Sequence, residues 1–195
     1  MSQKPGNFLD TPQLQQGVTR FWLILHAIVE PNARRPLYGA MDVPLCPDSL
    51  VAQRPMYETL ARRLPHPALW FTSPLGRAQQ TAQAIQQAGY GMQASRIEPG
   101  FTEQSMGEWH GTTHDRLPEK LAVPAHPFWS VGATEQPPGG ESMVQVCARV
   151  GAALDRMSRE YAGQDMVVVS HGGAIRGALA HALHVHAHTA LHFSV

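Results

Sequence analysis

The sequence predicts an α/β domain, a three-layer α/β/α sandwich around a mostly parallel central sheet. Two observations carry that expectation. Short continuous apolar runs at 21–25 (FWLIL), 68–72 (ALWFT) and 165–170 (DMVVVS) read as strands buried on both faces. Segments with helical spacing separate and follow them, and strands alternating with helices build parallel sheets. A chain of 195 residues suffices for one domain with a real core, and its 43% hydrophobic content excludes a disordered chain.

Taken in order, residues 1–19 are polar and lack the apolar stretch of a secretory signal. They read as a flexible leader ahead of a domain over 20–195, in a cytoplasmic protein. The run 21–25 is expected to be a central strand. Proline, arginine and glycine crowd 31–47, which marks a structured loop. A helix is expected near 56–64, stopped by Pro65 and Pro67, before the strand at 68–72. Ser73-Pro74 should open a helix running to about Ala88, closed by Gly89. The stretch 91–140 is too long for an ordinary connection, so it should hold short helices and build a lid or one wall of a site. Ser142 can cap a helix whose apolar face is Met143, Val146, Cys147, Val150, Leu154, Met157 and Tyr161. After the strand at 165–170, His171-Gly172-Gly173 forms a turn into a helix over 174–183.

Lysine plus arginine equals aspartate plus glutamate at 15 each, which gives no reason to expect nucleic-acid binding. No apolar run approaches the ~20 residues of a membrane span. Cys46 and Cys147 have no metal-ligand spacing and read as free thiols.

In parallel sheets, ligands bind beyond the carboxyl ends of strands. His26 and His171 each end a strand and precede small residues, which let a backbone approach an anion closely. A lone histidine there is more often structural; two together bring a catalytic role to even odds. Arg77 falls in the first turn of a helix, where a fixed positive charge is unfavourable, which suggests a forked donor to phosphate rather than a solvated side chain. Glu103, taken alone, is unremarkable. The histidines at 181, 184, 186, 188 and 192 could bind a transition metal, but no acidic or cysteine ligand accompanies them, so no metal is assigned.

Five segments together resemble the histidine phosphatase (phosphoglycerate mutase-like) superfamily. The first reads Leu25-His26-Ala27, Asn32, Tyr38-Gly39, Asp42 and Pro44-Leu45. The others are Ser-Pro-Leu-x-Arg-Ala-x-x-Thr-Ala at 73–82, Glu-x-x-x-Gly-x-Trp-x-Gly at 103–111, Gly140-Glu141-Ser142, and Val-Ser-His-Gly-Gly-x-Ile-Arg at 169–176. The small-phosphatase branch resembling α-ribazole phosphatase is similar in size. The resemblance implies a metal-independent phosphomonoester hydrolase that needs no cofactor and takes a small phosphorylated molecule, with no nucleic-acid or membrane partner and with a homodimer as a compatible assembly. It implies His26 as nucleophile, Arg77 and His171 as holders of the phosphoryl oxygens, and Glu103 as proton donor. Asn32, Arg35, Tyr38, Gly39 and Gly172 would line the substrate site. Mutases of the family tend to be longer, so hydrolysis is favoured over phosphotransfer. Substrate choice would come from the 112–140 loop, where His126, Phe128 and Trp129 either line a pocket or pin the loop to the core.

Leu25 departs from the family pattern, which places an arginine there. Losing one oxyanion donor costs roughly 10²–10³ in rate, and leucine can fill volume but bind no anion. Arg34 or Arg35 could repair the pocket, the protein could bind a phosphorylated ligand without turnover, or Leu25 could be a variant of an ordinary enzyme. Intact His26, Arg77, Glu103 and His171 favour weakened but retained hydrolysis. The residues 191–195 look like the start of the family's last strand.

Overall fold

Four parallel strands in the order β1-β4-β2-β3 form the sheet of the computed structural model, which describes residues 17–195. They are β1 (Arg20–Leu25), β2 (Leu69–Thr72), β3 (Ser95–Ile97) and β4 (Asp165–Ser170). Parallel neighbours require crossover connections. Helices α1 (Pro47–Ala52) and α2 (Arg54–Arg63) lie between β1 and β2, α3 (Gly76–Ile85) between β2 and β3, and α4 (Met143–Glu160) before β4. Helices α5 (Gly172–Leu183) and α6 (Ala187–Ala190) follow β4.

Strand side chains alternate between faces, so a strand covered on both sides is apolar throughout. In β4, Met166 and Val168 join Phe71, Phe101 and the α4 residues Met143, Val146, Val150 and Met157 in one core. Val167 and Val169 point the other way, against Trp70, Ala78, Ile85 and Tyr57. Two cores on opposite faces of one sheet make the three layers. Ser142 caps α4 in a reciprocal box with Gln145, as its sequence suggests.

Several local expectations need correction. Among the described residues the run 21–25 is an edge strand, not a central one: β1 pairs with β4, while β4 takes the central place between β1 and β2. Apolar continuity reports covered faces, and β1 has both faces covered by partly buried Phe21, Leu23, Trp22 and Ile24, but continuity says nothing about neighbours along the sheet. The helix expected from Ser73 begins only at Gly76, because Leu75 is extended and Ser73 Oγ accepts its N–H at 3.1 Å. Its regular part ends at Ile85, and a wider turn over Gln86–Tyr90 follows, with Gly89 at φ 127°. β3 lies inside the stretch read as loop; its three residues are exposed and too short for a periodic signal. Residues 191–195 do not start a strand: the His192 and Phe193 N–H groups bond Thr189 and Ala190 carbonyls in a helical turn, and Leu191 is buried. The leader expected over 1–19 lies outside the described residues as far as residue 16. Among the described residues, no helix is long and apolar enough to cross a membrane.

Candidate active site

The site is assembled where strands stop. The His26 N–H bonds Ser170 O at 3.0 Å and the Ser73 N–H bonds Val169 O at 3.1 Å, so the segments leaving β1, β2 and β4 diverge from one point. The rings of His26 and His171 stand there with centroids 5.1 Å apart. His26 Nδ1–H donates to the Ala27 carbonyl at 2.7 Å; a carbonyl can only accept, so Nε2 carries the free lone pair. Burial lowers the His26 pKa to about 4, against the Ala27 bond and with the help of the Arg77 charge, so the ring is neutral at physiological pH. His171 is fully buried, with Nε2 2.7 Å from Ser73 Oγ and Nδ1 without a partner. Burial, then Arg77 and His26, push its pKa down to about 2.

Arg77 lies in the first turn of α3 and is buried. Nη1 donates to Met41 O at 2.6 Å and Nη2 to Gly39 O at 2.7 Å, while the Tyr38 ring packs 5.2 Å from the guanidinium. Its Nε is buried with no partner. The surrounding segments are tied down by motif residues. Asp42 accepts the Gly76 N–H at 2.9 Å, which pins the 31–47 loop to the start of α3. Thr81 Oγ1 accepts the Ala27 N–H at 2.8 Å and donates to Arg77 O at 2.7 Å, which fixes the backbone next to His26.

Glu103 is buried, and its carboxylate oxygens accept the N–H groups of Gln104 at 2.8 Å and Gly173 at 3.1 Å. Burial raises its pKa more than those bonds, Arg77 and Arg149 lower it. A Cβ at Gly173 would fall 2.2 Å from Glu103 Oε1, so glycine is what lets the start of α5 close on the carboxyl. Gly39 has φ +42°, and a Cβ there would fall 2.5 Å from Gln104 O. Glu141 braces the same loop: it pairs with Arg149 at 2.9 Å, and Arg149 Nη1 also bonds the carbonyls of Gly100 and Thr102. Beside Glu103 opens a cavity of about 310 Å³, walled also by Arg34, Tyr38, Gly39, Met106 and Trp129.

The structure therefore brings His26 together with His171 within reach of the Arg77 charge, and Glu103, Tyr38 and Gly39 around Arg77. Gly172 opens α5 beside His171, and its carbonyl accepts from Arg176 at 3.2 Å. Asn32 begins an exposed 3-10 turn, Asn32–Arg34, whose carbonyl accepts the Arg35 N–H. Arg34, not Arg35, is among the residues that wall the cavity. Leu25 does not fill a pocket: it is 41% exposed at the end of β1. Of the three loop aromatics, Trp129 walls the cavity and holds Gln104 Oε1 at 2.9 Å, Phe128 is largely exposed, and His126 is buried elsewhere. Sequence reasoning missed Ser73 as the partner of His171 and Arg176, whose guanidinium lies 4.8 Å from the Trp129 ring; both sit inside recognised motifs, which was the available signal. Among the described residues, no three His, Cys, Asp or Glu side chains are arranged to hold a metal ion.

Comparison with known proteins gives one family. The histidine phosphatase superfamily (branch 1) profile matches residues 21–195. A glucosyl-3-phosphoglycerate phosphatase of Mycobacterium tuberculosis is 31% identical over 165 residues, 80% of this chain and 71% of that protein. A 2,3-bisphosphoglycerate-dependent phosphoglycerate mutase of Cytophaga hutchinsonii is 28% identical over 162 residues, 82% of this chain and 75% of that one. Among solved structures, a candidate alpha-ribazole-5′-P phosphatase of Escherichia coli K-12 superposes with a TM-score of 0.72 at 26% identity, covering 91% of this chain and 85% of that one.

Proposed function

We propose that this chain, which belongs to the histidine phosphatase superfamily (branch 1), is a metal-independent phosphomonoester hydrolase that carries the phosphoryl group on His26. The observation that carries the reading is the tautomer of His26: Nδ1–H is held by Ala27 O, which leaves Nε2 with its lone pair, and the His171 ring stands 5.1 Å away centroid to centroid. Nε2 attacks phosphorus, the bond to the ester oxygen breaks, and protonated Glu103 gives that oxygen its proton. The resulting carboxylate then takes a proton from water, whose oxygen attacks phosphorus and breaks the N–P bond. Phosphate leaves, and His26 and Glu103 return to their starting states. Glu103 suits this exchange because burial keeps its pKa above the ordinary carboxylate range. Two buried nitrogens without partners, Arg77 Nε and His171 Nδ1, are the donors available to the phosphoryl oxygens when Ser73 donates to His171 Nε2. The ligand is a small phosphorylated molecule, and the protein works in the cytoplasm.

Leu25 favours a second reading, a protein that binds a phosphorylated ligand and turns it over slowly or not at all. An exposed leucine supplies none of the charge that phosphoryl transfer draws on. The two readings separate in one experiment. Wild type and His26→Ala are mixed with radiolabelled phosphomonoesters, without metal, and quenched in alkali. The hydrolase reading expects acid-labile, alkali-stable label on wild type alone, together with released phosphate. Saturable binding without label or release supports the binder and ends the hydrolase reading.

A further inference from the structure

Away from the strand ends, a second group of histidines meets. His126, from the long loop, is 5% exposed. The rings of His188 in α6 and His192 in the following turn stand 4.8 and 4.5 Å from it and 5.6 Å from each other, all edge to face. The Phe128 N–H donates to His126 Nδ1 at 3.2 Å. The neutral ring therefore keeps its proton on Nε2, which is buried without a partner. That arrangement is poor for metal ligation, since Nε2 has no free lone pair. It is equally poor for a second proton, which would have to sit on Nδ1 against the Phe128 N–H.

The charged and titratable groups that face His126 are His188 of α6, His192 of the following turn and Arg176 of α5, and all oppose an imidazolium. Burial acts in the same direction and more strongly, so the His126 pKa lies below its ordinary value. The loop held this way is a wall of the cavity beside Glu103. The Trp129 N–H bonds His126 O at 3.1 Å, Trp129 and Ser130 line the cavity, and Arg176 stacks 4.8 Å from the Trp129 ring while interacting with Glu103.

We propose that His126, His188 and His192 form a proton-operated latch, which holds the Trp129 wall of the cavity closed at neutral pH and releases it in mild acid. With the folded pKa lowered, the open loop binds a proton more readily than the closed one. The closed form is therefore fully favoured above the open-state value of about 6.5 and is lost as pH falls below it. The latch acts on the cavity of the proposed hydrolase, but its test needs no turnover.

The test is amide hydrogen exchange on the full chain from about pH 7.5 to about pH 5, corrected for intrinsic rates. The opening constant at the Phe128 and Trp129 amides is expected to rise by up to about tenfold per pH unit below about 6.5, while the β4 amides of Val167 and Val168 stay protected. His126→Phe keeps a ring and removes the proton site, so its opening constant should be flat with pH. Protected β4 amides certify that this variant folds; if they are not protected, His126→Gln replaces it, and its opening constant should be equally flat with pH. A flat wild-type profile, or a full slope in a folded His126→Phe, overturns the proposal. So does a slope that a chelator abolishes, which would mean that a metal holds the cluster.

Discussion

Two groups of histidines occupy this molecule, and they are held in opposite ways. At the strand ends, His26 is fixed by a carbonyl and His171 by a serine hydroxyl, with a guanidinium and a carboxyl close by. In the loop cluster, His126 is held by a backbone N–H and by other rings. Both environments lower the pKa of a buried imidazole, but only the first pairs a ring whose Nδ1 proton is tied to a carbonyl with a guanidinium charge and a second histidine. A buried neutral histidine is thus not itself a sign of catalysis; what the second nitrogen faces decides. The sharpest break of this contrast is deletion. His26→Ala should lower hydrolysis of p-nitrophenyl phosphate by about 10⁴-fold or more, whereas His126→Ala at neutral pH should leave the label on His26 in place. Equal losses in steady-state assays would erase the distinction.

Glu103→Gln comes next. A general acid is worth typically about 10²–10⁴ in rate, so the variant should lose that much on esters with poor leaving groups and far less on p-nitrophenyl phosphate, whose leaving oxygen needs little protonation. The sign of the pH effect follows from the raised pKa: the acid form is lost as pH rises through it, so wild type should show a falling alkaline limb that Glu103→Gln lacks. The acid limb should fall near the His26 value of about 4, where the nucleophile becomes protonated. Leu25→Arg should act in the other direction, raising kcat/KM by up to about 10²-fold if the new guanidinium reaches the phosphoryl oxygens. No gain would mean that Arg77, with its unpartnered Nε, already supplies what the site uses.

Much of the first histidine group could be read from sequence because it depends on local order: an apolar run such as 165–170, a histidine at its end, a glycine pair after that. The placements of Arg77 and Gly173 follow once the parallel sheet is granted, since both lie on segments leaving expected strands; Glu103 follows β3, which no periodicity announced, and only the motif around it marked it. The second group could not be read this way. His188 and His192 share a short helical turn, but their meeting with His126 depends on how the long loop folds across α5 and α6, and no periodicity encodes that. The place of β1 at the sheet edge escaped for the same reason, because pairing order is a tertiary property. Ser73 was in plain view, yet its bond to His171 requires knowing that β2 and β4 are neighbours.

The smallest expected effect tests whether the strand-end group stores the instability its burial implies. His171 is fully buried and its pKa falls to about 2. For a base lowered on folding, the unfolded chain binds the proton first, so stability is complete above about pH 6.5 and declines as pH falls towards the folded value. One such proton contributes a slope of about 1.4 kcal/mol per pH unit within that window. His171→Asn removes the titrating group while leaving a polar side chain to meet Ser73, so urea unfolding from about pH 6 to about pH 4 should lose about one proton of slope relative to wild type. His126→Asn, in the second group, should change that slope less. Reversed outcomes would place the main proton-linked strain in the loop cluster and make the strand-end histidines the more relaxed pair.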